Sequence, residues 1–296
     1  MSAVDSTDYD WLNELRAQAV PSAIETPALV AEPELKQPPR PTGELWAIRS
    51  LSGGAGRSST ALNLAFEAAR LGKRVCLIDL DTDAPSLQVL LNVANAKTAV
   101  LAAIRLVAQE RLDSGALEGL LLEIAARDAS VQYLSSGPFT PGAIELQGLE
   151  VLLRVLTAKY DLVVADAAAG SGSELQRLLG RLADKQLLVV PAEPVSLGRL
   201  FASGFSGDLT GAAVLFNRVR STVLGSNPNG QLTALAEKHG SFQVAGFLPL
   251  EQEIFDLAQQ RGVPIRMINA RAKTLPALAA LLGTRTRALS ARRHRG

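Results

Sequence analysis

The amino-acid sequence predicts an α/β fold in three layers, a mostly parallel, twisted sheet of about seven to eight strands with helices on both faces. From Glu44 onward, short apolar runs rich in Val, Ile and Leu alternate with amphipathic stretches of helical period. This alternation is typical of buried parallel strands connected by helices. A glycine-rich turn follows the first apolar run, and two later runs end in aspartates. Roughly 240 residues take part, which is enough to bury the core of one domain.

The predicted strands are short apolar runs bounded by polar or glycine residues, and they cover Leu45–Leu51, Arg74–Asp79, Val131–Leu134, Leu162–Ala167, Gln186–Val190, Ala212–Phe216 and Val244–Leu248. The predicted helices have apolar residues three and four positions apart. They cover Ser59–Leu71, Leu87–Leu91, Ala99–Gln109, Ser114–Ala126, Ile144–Ala158, Ser173–Leu182, Gln231–His239, Gln252–Gln260 and Leu275–Leu282.

The two ends of the chain differ from the middle in composition. Residues 1–43 contain seven acidic and three basic residues, and six of the fifteen prolines fall between residues 21 and 41. We expect a disordered, acidic, proline-rich segment there. Residues 44–283 form the predicted folded domain. Residues 284–296 are a basic tail that we expect to be disordered, and its charge favours either simple solvation or contact with anionic lipid or DNA phosphates.

The composition also argues against several classes of protein. The chain has 30 Lys and Arg against 29 acidic residues. Its net charge of +1 therefore creates no overall positive potential that would attract nucleic acid. No stretch reaches the about 20 apolar residues of a membrane-spanning helix, and the acidic start is unlike a secretory signal. The single cysteine, Cys76, excludes an intramolecular disulfide, and two histidines are too few for a Cys/His metal cluster. We therefore expect a cytoplasmic protein with Cys76 in its core, and attraction of the basic tail to the inner face of the membrane is the alternative to simple solvation.

A glycine-rich turn connects the first strand to the first long helix, and it reads Ser52-Gly53-Gly54-Ala55-Gly56-Arg57-Ser58-Ser59-Thr60. This arrangement forms an anion site, because backbone N–H groups converge and the helix N-terminus adds positive partial charge. Two phosphate-binding motifs compete for it. The dinucleotide motif G-x-G-x-x-G would need a glycine where Ser59 stands, whereas Gly56-Arg57-Ser58 approaches the G-K-[ST] end of a P-loop.

Aspartates at the ends of two other strands favour the P-loop interpretation. The second strand ends in Asp79 and is followed closely by Asp81, and the fourth strand ends near Asp166. A metal–triphosphate centre needs carboxylates at the carboxyl ends of strands beside the loop. A hydride-transfer site needs only one acid for the ribose. We therefore predict ATP and Mg²⁺ as cofactors, with an NAD-linked enzyme as an alternative.

In the order of these motifs, residues 44–283 resemble the ParA/MinD group of deviant Walker P-loop ATPases, whose loop reads K-G-G-x-G-K-[ST]-[ST] and whose second strand ends D-x-D. The resemblance implies nucleotide contacts from Gly53, Gly54, Ala55, Gly56, Arg57, Ser58 and Ser59 in the loop, and from Asn217-Arg218, where the asparagine would read the adenine edge.

The same resemblance implies a metal site and a catalytic site. Ser58 would ligate Mg²⁺ together with Asp81 and Asp166, the latter directly or through water. Asp79 and Asp81 would lie near the attacking water, with Arg57 on the phosphates. An ATP-bound homodimer is implied as the active form.

Softer similarities point within the group to the CpaE/TadZ-like branch of pilus-assembly ATPases. They are Arg111-Leu112-Asp113 before a helix, and the small-residue sequence Leu134-Ser135-Ser136-Gly137-Pro138 after a strand. This branch implies a spatial organiser of Flp/Tad (type IV) pilus assembly or localisation, with a pilus-assembly or other cytoplasmic protein as partner. A DNA-partitioning ParA-like ATPase and a pseudo-ATPase scaffold that binds no nucleotide are the alternatives.

Two departures from the group's loop bear on the mechanism. Ser52 stands where the group has its signature lysine, and Arg57 stands where it has the P-loop lysine. Arginine keeps the positive charge, but its guanidinium is planar and bulkier than the compact ammonium of lysine. Loss of one charge-stabilising donor lowers turnover by ~10²- to 10³-fold in comparable sites. We therefore predict an ATPase of low or no turnover that still binds ATP.

Overall fold

The computed structural model describes residues 42–93, 97–137, 144–203, 209–239 and 242–283, and every structural statement below concerns these residues. The acidic proline-rich segment up to residue 41 and the basic tail from residue 284 lie outside them. The predictions for both ends therefore stay predictions.

The centre of the fold is one eight-stranded sheet with the order β3-β4-β2-β5-β1-β6-β7-β8. Its strands are β1 Glu44–Arg49, β2 Val75–Asp79, β3 Leu122–Ala126, β4 Ala129–Leu134, β5 Leu162–Asp166, β6 Lys185–Pro191, β7 Ala213–Val219 and β8 Gln243–Pro249. Every neighbouring pair is parallel except β3 and β4, which are antiparallel. The predicted fold class is confirmed.

Helices follow or connect the strands. They are α1 Arg57–Arg70, α2 Leu87–Leu90, α3 Ala99–Ala108, α4 Ser114–Glu118, α5 Leu146–Lys159, α6 Glu174–Leu182, α7 Pro194–Ser203, α8 Ser221–Leu224, α9 Pro228–His239, α10 Gln252–Arg261, α11 Ile265–Ile268 and α12 Thr274–Gly283. Most agree with the predicted helices to within a few residues, whereas α7, α8 and α11 were not predicted. Among the described helices, none combines the length and hydropathy needed to cross a bilayer.

The predicted helix Ser114–Ala126 is wrong in its second half. Only α4 forms, capped by the Asp113 carboxylate, which accepts a hydrogen bond of 2.7 Å from the Ala116 N–H. The chain then turns into β3, which pairs with β4 in a register that sets Ile124 opposite Val131. The backbone of β3 forms hydrogen bonds with β4. This pairing with another part of the fold outweighs the helical propensity of the Leu, Glu and Ala residues in β3.

The core fills both faces of the sheet because side chains alternate along each strand. Trp46 and Ile48 of β1 pack on one face with apolar residues of α1. Leu45 and Ala47 pack on the other face with residues of α3 and α5, and Cys76 of β2 joins them with no exposed surface. The prediction of Cys76 as a core residue is confirmed.

Strand register assembles the site at the carboxyl edge of the sheet. Asp166 of β5 is the register partner of Ile48 in β1 on one side and of Asp79 in β2 on the other. The glycine-rich loop that begins after β1 therefore starts beside both aspartates.

Candidate nucleotide-binding site

Glycines in the loop adopt backbone conformations that other residues rarely use. Gly54 and Gly56 have φ of +72° and +87°, in the left-handed region. Gly56 precedes α1, and its carbonyl accepts the Thr60 N–H at 2.9 Å, which begins the helix. A Cβ atom on Gly56 would lie 2.3 Å from Asn217 Nδ2. Both the conformation and the close approach therefore require glycine at position 56.

Two side chains at the end of β7 hold the loop by its carbonyl groups. Asn217 Nδ2 donates to the Ala55 carbonyl at 2.9 Å, and Arg218 Nη2 donates to the Gly54 carbonyl at 2.8 Å. The Arg218 N–H also donates to Asn217 Oδ1 at 2.8 Å, so both polar atoms of the Asn217 amide are engaged. With carbonyls tied to β7, the loop can direct N–H groups to an anion.

Arg57 lies between two carboxylates that come from two different strand ends. Its Nε donates to Asp166 Oδ1 at 2.6 Å, and its Nη2 donates to Asp81 Oδ2 at 2.5 Å. The three side chains are 8%, 0% and 7% exposed. Burial by itself lowers the pKa of Arg57, but the Asp166 and Asp81 carboxylates more than offset this and raise it. Arg57 is therefore a fully charged, buried cation with two short charge-assisted hydrogen bonds.

Asp79 makes no hydrogen bond with this cation. Burial, and then the neighbouring Asp166 carboxylate, raise the pKa of Asp79 to about 8, although the Asp81 N–H donates to its Oδ1 at 3.1 Å. Burial also raises the pKa of Asp166, but Arg57 opposes that shift. Arg57 therefore favours the charged form of Asp166, whereas no described cation forms an ion pair with Asp79. Asp79 Oδ2 and Asp166 Oδ2 are both buried and have no hydrogen-bond partner among the described residues.

Next to the loop lies a cleft of about 360 Å³. Its walls come from the start of α1, the ends of β7 and β8, and the first turns of α10, and include Gly56, Asn217, Arg218, Pro249 and Phe255. The volume falls in the range of small-molecule sites. Glu193 and Arg220 form an ion pair of 3.3 Å at its rim. Its β8 and α10 residues carry no phosphate-binding motif, so sequence reasoning missed them.

This arrangement can be compared with known proteins. Residues 46–265 match the CobQ/CobB/MinD/ParA nucleotide binding domain. The chain belongs to this family.

Relatives within the family agree with the ParA/MinD-type ATPase assignment. The antiactivator FleN of Pseudomonas aeruginosa is 27% identical over 222 residues, which cover 73% of this chain and 76% of FleN. A ParA family ATPase from Chlorobium tepidum shares the fold with a TM-score of 0.66 at 17% identity, over 81% of this chain and 99% of that chain. MinD from Pyrococcus horikoshii, solved with Mg-ADP, has a TM-score of 0.62 at 19% identity, over 81% and 94% of the two chains.

The fold brings most of the predicted ParA/MinD-type site residues together. Arg57, Asp81 and Asp166 are in contact, and Asp79 accepts a hydrogen bond from the backbone of Asp81. The Ser58 hydroxyl accepts a hydrogen bond of 2.7 Å from Ser86 Oγ, a partner that no motif in the sequence indicates. Asn217 and Arg218 lie against the loop and line the cleft. Their contacts with the loop carbonyls were also unexpected, because the family motif suggests only a role toward adenine.

Proposed function

We propose that this ParA/MinD-type protein binds ATP, with the phosphates at the glycine-rich loop and the nucleoside in the adjacent cleft. The observation that carries the proposal is the loop itself. Its carbonyls are tied to Asn217 and Arg218, and the left-handed Gly56 leaves no room there for a side chain. Such a loop at the N-terminus of a helix is built for a phosphate anion.

We propose further that hydrolysis is slow or absent. Stabilisation of transition-state charge accounts for most of phosphoryl-transfer catalysis. Ser52 supplies no cation where the group has its signature lysine. Arg57, the remaining cation of the motif, has two of its nitrogens committed to Asp166 and Asp81. The degenerate loop thus favours a nucleotide-binding switch over a rapid enzyme.

The arrangement of Asp81 and Asp166 does not fit Mg²⁺, although the sequence predicts the metal there with Ser58. One oxygen of each carboxylate accepts a short hydrogen bond from Arg57, and the Ser58 hydroxyl accepts one from Ser86. Our proposal for nucleotide binding therefore includes no step through Mg²⁺.

The cellular role that we propose is a nucleotide-dependent spatial organiser, dimeric when ATP is bound, that works through a protein partner. The CpaE/TadZ-like motifs around Arg111 and Ser135 favour the Flp/Tad pilus as the machine it assembles or places. FleN, a relative named as an antiactivator, supports action on another protein. Deletion of the gene in its own host should remove or misplace the pilus, and normal pili would reject this role.

Calorimetric titration with ATP tests the binding proposal. Wild-type protein should bind ATP with one site per chain, and Gly56→Ala should weaken binding at least tenfold because its new Cβ displaces Asn217. Gly198→Ala is the matched control, since Gly198 lies exposed in α7 and a Cβ there would have no neighbouring atom within 4 Å. Absence of binding by the wild type, with or without Mg²⁺, would favour a scaffold that has lost its nucleotide.

Turnover measurements test the proposal of slow hydrolysis. Wild-type protein should hydrolyse ATP far more slowly than an intact ParA protein assayed beside it. The double variant Ser52→Lys with Arg57→Lys restores both lysines of the group's loop, and we expect it to be faster. A wild-type rate equal to that of the intact protein would contradict the proposal.

A further inference from the structure

We propose that the Arg57 guanidinium takes the place of the divalent cation in this site, so that the protein binds nucleotide phosphates without Mg²⁺. This inference rests on the proposed ATP binding, and it identifies the counter-cation that the bound phosphates would meet. The cation would then be part of the protein and present in every state of the site.

The Arg57 guanidinium lies between the carboxylates of two strand ends. A carboxylate after β2 and a carboxylate at the end of β5 are the ligands that a metal would need beside the loop. Arg57 joins these two groups, with Nε 2.6 Å from Asp166 Oδ1 and Nη2 2.5 Å from Asp81 Oδ2. The planar fork of arginine can reach two carboxylates at once, which a single ammonium does less well.

Displacement of the Arg57 guanidinium by Mg²⁺ would cost free energy. Arg57 is 7% exposed, and Asp166 is completely buried. A metal ion that displaced Arg57 would take over its two carboxylate partners and leave a buried guanidinium without compensation, which is strongly unfavourable. Mg²⁺ would also have to give up part of its tightly held water to enter. An always-charged guanidinium already in contact therefore competes well against the metal.

One nitrogen of the Arg57 guanidinium is left to contact a ligand. Nε and Nη2 of Arg57 bind carboxylates, whereas Nη1 makes no hydrogen bond to any described residue. It is the nitrogen that Arg57 can offer to a phosphate oxygen. The Ser58 hydroxyl, the remaining predicted metal ligand, accepts a hydrogen bond of 2.7 Å from Ser86 of the loop after β2. Burial raises the pKa of the Asp166 carboxyl group, and the hydrogen bond of Ser58 to that group opposes this shift.

ATP affinity measured in EDTA and in excess Mg²⁺ tests the inference on the full chain. The wild-type dissociation constant should differ by less than threefold between the two buffers. Arg57→Lys is the matched variant, and because its ammonium spans the two carboxylates less well, its affinity should rise at least tenfold when Mg²⁺ is added. A tenfold or greater loss of wild-type affinity in EDTA would overturn the inference, and so would an Arg57→Lys variant that is equally indifferent to Mg²⁺.

Binding of Mn²⁺ alone separates this inference from the proposed function. Loss of the free Mn²⁺ signal in electron paramagnetic resonance reports metal binding without any nucleotide. Wild-type protein should leave the signal unchanged at millimolar Mn²⁺. Stoichiometric Mn²⁺ binding that disappears in Asp166→Asn would overturn the inference. If ATP fails to bind in either buffer, the proposed function fails, and this metal titration still decides whether Arg57 holds the cation position.

Discussion

The buried cluster of Arg57, Asp81 and Asp166 gives a direct prediction about stability. Arg57→Ala removes the only cation in contact with these two carboxylates among the described residues. Breaking a buried ion pair by removing one partner costs ~3–5 kcal/mol. This is a large share of a total stability of ~5–15 kcal/mol. For a domain of this size it corresponds to a fall in melting temperature of roughly 6–20 °C.

Urea unfolding followed by circular dichroism, together with thermal melts, measures this cost. Arg154→Ala is the matched control, since Arg154 pairs with Glu150 one helical turn away at 2.7 Å but is 50% exposed. Such an exposed pair contributes about 0.3–0.5 kcal/mol. If Arg57→Ala lowers the free energy of unfolding by no more than Arg154→Ala does, the cluster is not the buried ion-pair network described above.

Three further predictions test other parts of the structure. Burial raises the pKa of the Cys76 thiol to about 12, so at pH 8 it should react with Ellman's reagent only when the protein unfolds, at a rate that follows global opening. Glu67→Ala should cost about 2–4 kcal/mol in urea unfolding, because this buried carboxylate accepts hydrogen bonds of 2.6 and 2.8 Å from Arg266 of α11. Asn217→Ala should lower the free energy of unfolding by about 1–2 kcal/mol, since the loop loses its hydrogen bond at the Ala55 carbonyl. It should also weaken ATP binding. Unchanged ATP affinity in calorimetry would show that the loop keeps its shape without this hydrogen bond.

Much of the fold could be predicted because parallel strands buried on both faces are continuous apolar runs. Val75–Asp79 and Leu162–Asp166 are such strands, and all ten of their residues are buried. The edge strand Leu122–Ala126 has no such signal. Three of its residues are exposed, and its composition suits a helix equally well. Only the partner strand beside it decides the conformation, and that is tertiary information.

The site could be predicted as a set of residues but not as a set of contacts. Glycine spacing and the order of the aspartates along the chain locate the loop, Asp81 and Asp166. The direction of each side chain depends on packing that sequence spacing does not contain. Asn217 turns its amide to the loop carbonyl of Ala55, and Arg57 turns to the carboxylates. The contacts of Asn217 with Ala55 and of Arg57 with Asp166 each join residues more than 100 positions apart in the chain.

The sequence resemblance aligns Arg57 with a lysine of the ParA/MinD loop, and an arginine at this position balances the charge of the site in a different way. A lysine ammonium is a compact, strongly hydrated point charge, and it can follow a phosphate while a metal ion neutralises the acids. The Arg57 fork binds Asp81 and Asp166 itself, so the cluster is largely neutralised before any ligand arrives. With Arg57 as the proposed counter-cation, we expect the state of the site to depend on the nucleotide alone. The substitution therefore favours a protein that senses nucleotide over one that turns it over.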